Sequence, residues 1–122
     1  MLVIEDDDDL REAVVELLVG RGFEVRPVGD GKQGLDQLRS WRPDLIVTDL
    51  LLPGLDGGSL RAAQLEVPEL AAIPLIIVSG SAEQHEAAER MRPAAVVRKP
   101  FRAETLLSAV TSCLARAKVT DS

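Results

Sequence analysis

Four short apolar runs, LVI at 2–4, LIV at 45–47, LIIV at 75–78 and AVV at 95–97, are each followed closely by a residue able to do chemistry. Glu5 and Asp6 follow the first, Asp49 the second, Ser79 the third and Lys99 the last. If the runs are parallel strands and those ending at Ile4 and Val47 are neighbours, three carboxylates meet beside a hydroxyl and an ammonium. Two carboxylates about 4 Å apart repel by roughly 4 kcal/mol at an effective dielectric near 20, enough to raise a pKa or demand a counter-ion. Oxygen-only ligands of this kind suit Mg²⁺, which keeps several waters and takes one or two carboxylates plus phosphate oxygens. The three negative charges of Glu5, Asp6 and Asp49 would then balance the metal and Lys99.

The elements that must place these residues alternate along the chain. FEVRPV at 23–28 supplies a fifth strand, and Pro27, which cannot donate to a ladder, assigns it to an edge. Leu10, Val14, Leu17 and Leu18 fall on one face of a first helix that Gly20 and Gly22 stop; Asp9 with Glu12 fits a capping box at its start. In the run EDDDD at 5–9, Glu5 and Asp6 are therefore assigned to the metal, Asp7 and Asp8 to the loop and its field, and Asp9 to the cap. Leu35 with Leu38, Leu60 with Ala63 and Val67, and Leu106 with Val110 and Leu114 repeat the helical period; AEQHEAAERM at 82–91 is a mostly polar helix. Strand and helix in alternation imply a doubly wound α/β domain, a parallel sheet covered on both faces. Periodicity leaves two common strand orders open, and both put a site outside the carboxyl ends of the strands.

At 122 residues the chain fits one domain with a sizeable core, and no apolar run is long enough to span a bilayer. Neither a basic leader with a long apolar segment nor a second cysteine to pair with Cys113 is present, which points to the cytoplasm. Cys113 continues the helical spacing of Leu106 and Val110 and is expected in the core. A net charge of −6 without a basic run disfavours direct nucleic-acid binding by this chain. His85, between Glu83 and Glu86 on the polar helix, is expected at the surface, and Trp41 is placed at the start of the third strand, remote from Asp49.

Taken together, VIEDD at 3–7, PDLIVTDLLLPGLDG at 43–57, PLIIVSG at 74–80 and RKPF at 98–101 closely resemble a response-regulator receiver domain of two-component signalling. The resemblance covers nearly all of residues 1–122, with no output domain in this chain, and implies a flavodoxin-like five-stranded sheet of order 2-1-3-4-5. It implies that Asp49 is a phosphoacceptor taking a phosphoryl group from a sensor histidine kinase or phosphotransfer protein. Asp6, Asp49 and the main-chain carbonyl of Leu51 would hold Mg²⁺, Glu5 acting mainly through a metal-bound water, while Ser79 and Lys99 would take the phosphoryl oxygens. Such a domain is no general enzyme; it catalyses only its own phosphorylation and dephosphorylation. Its target would be met through the fourth helix, fifth strand and fifth helix, and homodimers are among the implied partners; a membrane is not.

The chain departs from the family pattern at Val96, where receivers usually carry an aromatic or histidine three residues before the site lysine. The usual switch cannot run through Val96, so weak or unconventional switching is expected, and Pro93 in MRPAA adds to the difference in the output face. The same position keeps open an alternative, a pseudo-receiver that binds partners independently of phosphorylation. Leu51 and Ser81, two residues beyond Asp49 and Ser79, offer no amide or carboxylate to orient water, which predicts a persistent phosphoryl group. Leu51 also argues against a dehalogenase-type phosphatase, whose general acid would stand there, and the spacing from Asp6 does not make a calcium loop.

Overall fold

The computed structural model describes the backbone of residues 1–121 and the side chains to residue 116; the KVTDS stretch at 118–122 lies outside the described side chains. Five parallel strands, β1 (Leu2–Ile4), β2 (Arg26–Val28), β3 (Ile46–Asp49), β4 (Leu75–Ser79) and β5 (Ala95–Arg98), form one sheet of order β2-β1-β3-β4-β5. Pro27 lies on the edge strand, as its missing N–H requires. β2 is shorter than FEVRPV suggested, with Phe23 and Val25 packing on the core from the loop before it.

Side chains alternate across the sheet, and two apolar layers result. Val3, Val47, Ile76, Val78 and Val97 face α1 (Asp8–Val19) and α6 (Ala103–Asp121), meeting Val14, Leu18, Leu106 and Val110. Cys113 is buried in this layer, as its spacing indicated. Leu2, Ile4, Ile46, Leu75 and Ile77 face the opposite way, toward α2 (Gly31–Ser40), α3 (Gly57–Glu66) and α5 (Ala82–Arg90). Gly34 lets α2 lie directly on β1, for a Cβ there would stand 2.4 Å from Ile4 Cδ1.

Three local readings of the sequence are corrected. Asp7, not Asp9, caps α1: its backbone is extended and its Oδ1 accepts from the Leu10 N–H at 3.1 Å. Asp8 and Asp9 then occupy the first helical turn, where the exposed N–H groups and the helix dipole favour negative charge. A short helix, α4 (Pro68–Ala71), follows α3; Val67 caps it and is exposed rather than continuing the buried stripe of α3. Pro68 at its first position ends α3 and starts the new turn. Trp41 is the C-cap of α2, five residues before β3, with the Arg26 guanidinium 4.2 Å from its ring centroid.

The fourth and fifth helices counted from sequence are therefore α5 and α6. α5 starts at a capping pair: Ser81 Oγ accepts from Gln84 N–H, and Gln84 Oε1 accepts from Gly80 N–H at 2.7 Å. Its far end is clamped from α3, where Arg61 donates to the carbonyls of Met91 at 3.2 Å and Arg92 at 2.8 Å. Gln64, fully buried beside it, donates to the carbonyls of Leu70 and Ile73 and so ties α4 to α3.

Candidate functional site

β1 and β3 are neighbours, and the chain leaves them toward opposite edges of the sheet, which opens a crevice at their carboxyl ends. Glu5 follows β1 and Asp49 ends β3; Lys99 follows β5. The alternation of side chains puts all three on the α1/α6 face, in line with Val3, Val47 and Val97. Glu5 and Asp49 are 4% and 7% exposed, so their charges have little water to spread into.

One oxygen from each of Glu5, Asp6 and Asp49 lies within 4.8 Å of the others, Asp6 being exposed at the rim. Lys99 Nζ donates to Asp49 Oδ2 at 2.7 Å and reaches the Glu5 oxygens at 3.3 and 3.4 Å. One ammonium does not neutralise this set. Burial, and then the Asp49 charge, push the Glu5 carboxyl from 4.5 up to about 7, against the opposing pull of the Asp7 N–H and Lys99. Burial by itself would depress Lys99, but its hydrogen bond to Asp49 and both carboxylate charges hold its pKa above the usual value.

The loop is fixed from two sides. Arg11 on α1 donates to the Glu5 carbonyl at 2.8 Å and pairs with Asp8, and the Asp7 N–H donates to Glu5 Oε1 at 3.2 Å. Beyond β3, Gly57 N–H donates to the Leu50 carbonyl at 2.9 Å, and a Cβ on Gly57 would stand 2.9 Å from that oxygen. The turn carrying Leu51, whose side chain is 58% exposed, is thus drawn back onto α3. The Lys99–Pro100 peptide bond is cis.

Ser79 ends β4 and is fully buried. Its position in the strand puts it in line with Leu75 and Ile77, on the α5 face rather than the face of the carboxylates. Its hydroxyl stands 3.4 Å from His85 Nδ1, and His85 Nε2 lies 3.0 Å from Glu89 Oε1. The structure thus brings Glu5, Asp6, Asp49 and Lys99 into one cluster, and links Ser79 to a histidine that sequence reasoning had assigned to the surface. The signal was present in the Ser81–Gln84 capping pair, which fixes where α5 begins and hence which way His85 turns.

Comparison with known proteins agrees with this architecture. The chain is 35% identical over 118 residues to the transcriptional regulatory protein CseB of Streptomyces coelicolor, covering 95% of this chain and 49% of that protein. It is 31% identical over 119 residues to the DNA-binding response regulator MtrA of Mycolicibacterium smegmatis, covering 95% and 50%. The chain thus spans about half the length of these curated relatives. Its fold superposes with a TM-score of 0.86 on the signal receiver domain of a signal transduction histidine kinase from Syntrophus aciditrophicus, at 27% identity and 93% and 88% coverage. A response regulator receiver domain protein from Clostridium thermocellum gives 0.85 at 25% identity, with 98% and 96% covered. The family model of the response regulator receiver domain matches residues 1–111, and the chain belongs to that family.

Proposed function

We propose that this domain receives a phosphoryl group on Asp49 from a histidine kinase or a phosphotransfer protein, in a Mg²⁺-dependent reaction. The observation that carries the proposal is the buried Asp49 carboxylate, grouped with Glu5 and Asp6 and paired to Lys99 at 2.7 Å. An Asp49 carboxylate oxygen forms the new O–P bond while the donor's P–N bond breaks, and the leaving imidazole keeps the electron pair and takes a proton. With acetyl phosphate the bond broken is P–O and acetate leaves.

The donor set fits a hard divalent cation, because its atoms are all oxygens and it carries more negative charge than Lys99 offsets. Glu5, Asp6, Asp49 and the Leu51 main-chain carbonyl are the residues proposed to hold it. When bound, Mg²⁺ supplies charge neutralisation for the phosphoryl oxygens and for the crowded carboxylates. Lys99 changes partner in this scheme, from a carboxylate oxygen of Asp49 to a phosphoryl oxygen, and keeps its charge throughout. Ser79 donates its hydroxyl to a second phosphoryl oxygen. The signal then passes to a partner through the α5-β5-α6 face.

Incubation with Mg²⁺ and acetyl phosphate, followed by intact-mass measurement, tests this reading. A gain of one phosphoryl group that is absent in Asp49→Asn supports it. Val96, half-buried and packed in the apolar layer with Ala87 and Met91, offers no polar group to the site, and this observation favours a binding module as second reading. A protein that gains no mass with either acetyl phosphate or a phosphorylated kinase supports that second reading.

A further inference from the structure

The Ser79 hydroxyl is fully buried and held by a histidine on the next helix, while the strand alternation directs it away from Asp49's face of the sheet. The histidine is itself oriented. Its Nε2 lies against the Glu89 carboxylate at 3.0 Å, an acceptor only, so Nε2 carries a proton. In the neutral ring Nδ1 is then an acceptor, and the Ser79 O–H donates to it. A serine hydroxyl has one proton to give. Phosphoryl oxygens accept and do not donate, so Ser79 cannot serve both the neutral His85 ring and a phosphoryl group.

We propose that His85, oriented by Glu89, is a positioning residue that holds the Ser79 hydroxyl toward α5, and that engagement of a phosphoryl group on Asp49 must break this bond. The inference rests on the phosphoacceptor reading of Asp49. It gives the domain a connection from the site to α5 that does not pass through Val96. Loss of the bond removes a tie between β4 and the first turn of α5, which keeps its Ser81–Gln84 cap, whereas the opposite end stays clamped by Arg61 on the Met91 and Arg92 carbonyls. The response is therefore confined to the start of the helix, around residues 81–86. At 3.4 Å the hydrogen bond is long, which suits a contact that is exchanged rather than one that locks the fold.

The experiment is titration of the full chain with beryllofluoride in Mg²⁺, a phosphoryl analogue that assembles on the Asp carboxylate, followed by nitrogen and amide resonances. His85→Leu removes the acceptor and is expected to lower the half-saturating concentration about twofold to fivefold, the scale of one weak net hydrogen bond. His85→Asn, which keeps a polar atom near the Nδ1 position, should titrate like the wild type. In a Ser79→Ala background His85→Leu should have no further effect, an outcome that a general loosening of α5 would not give. The His85 Nδ1 resonance should move on saturation in the wild type and stay still in Ser79→Ala. Equal titrations for wild type and His85→Leu, or an equal effect of His85→Leu with and without Ser79, overturn the proposal while leaving the phosphoacceptor reading intact. A wild type that does not bind beryllofluoride overturns both. In the free protein, an Nδ1 resonance identical in wild type and Ser79→Ala overturns the positioning role alone.

Discussion

Lys99 Nζ is 2.7 Å from Asp49 Oδ2 and 3.3 Å from Glu5 Oε2, so a single ammonium serves two buried carboxylates carried by adjacent strands. Burial first, and the Asp49 charge second, raise the Glu5 pKa against the pull of Lys99. A site of this kind is held together by the rest of the fold and costs stability when nothing further neutralises it.

Removing one of the two carboxylate charges should consequently help the metal-free protein. Asp49→Asn in EDTA at pH 8 is expected to raise unfolding stability by about 1 kcal/mol, in the range of substitutions that relieve a functional site. Lys99→Met should lower it by about 2 kcal/mol, less than the 3–5 kcal/mol of fully buried pairs because the Lys99 side chain is 27% exposed. Urea titration of the three proteins measures both. An Asp49→Asn protein less stable than wild type would contradict the charge argument.

The burial of Glu5 and its crowding by Asp49 also set a pH dependence. Glu5 titrates at about 7 in the folded protein and 4.5 is its ordinary value, so between these limits the folded state keeps a proton that the unfolded chain has lost. Its contribution to stability is full below about pH 4.5 and declines as pH rises through 7, where the deficit is complete. In EDTA the urea midpoint should fall from pH 5.5 to pH 7.5. Added Mg²⁺, binding the ionised carboxylates, should flatten or reverse that slope by favouring the folded, deprotonated form. A flat profile in EDTA would mean that Glu5 is ionised throughout.

The strands and the residues at their ends were legible in the sequence because a parallel strand buried on both faces is an uninterrupted apolar run, and the polar residue that ends it is the residue at the sheet's edge. The order β2-β1-β3-β4-β5 was not: alternation fixes which face a residue takes, not which strand lies beside which, and the order entered through the family motifs. α4 was missed because four residues are too short to show a period, although Pro68 marked its start. The cap of α1 was misplaced by two residues because Asp7, Asp8 and Asp9 are chemically equal candidates, and only the extended backbone at Asp7 separates them. His85 keeps about a third of its side chain exposed, and its contact with Ser79 leaves no mark in the period of a mostly polar helix.

Trp41 provides a readout that should stay silent. It caps α2, before the chain enters β3, whereas Asp49 ends that strand, so the ring and the carboxylates sit toward opposite ends of the sheet. Mg²⁺ titration should change its emission little, while Arg26→Ala, which removes the cation 4.2 Å from the ring, should change the emission without metal. A large stoichiometric quench on adding Mg²⁺ would show that the site and this end of α2 are coupled.

The clamp between α3 and the end of α5 predicts a coupled pair of substitutions. Arg92 adopts φ of 53°, a left-handed conformation that non-glycine residues enter at a cost of roughly 1–2 kcal/mol, and its carbonyl accepts from Arg61. Arg92→Gly removes the conformational cost and should stabilise the domain by about 1 kcal/mol. Arg61→Ala withdraws donors from the carbonyls of Met91 and Arg92 and should destabilise by about 1–2 kcal/mol. With the donors gone, the left-handed turn has less to hold it, and the Arg61→Ala protein should relax there at the expense of α5's last turn. The gain from Arg92→Gly should therefore be smaller in the Arg61→Ala background, a non-additivity of about 0.5 kcal/mol or more that a double-mutant cycle in urea reads. Strict additivity would show that Arg61 does not enforce the conformation of Arg92.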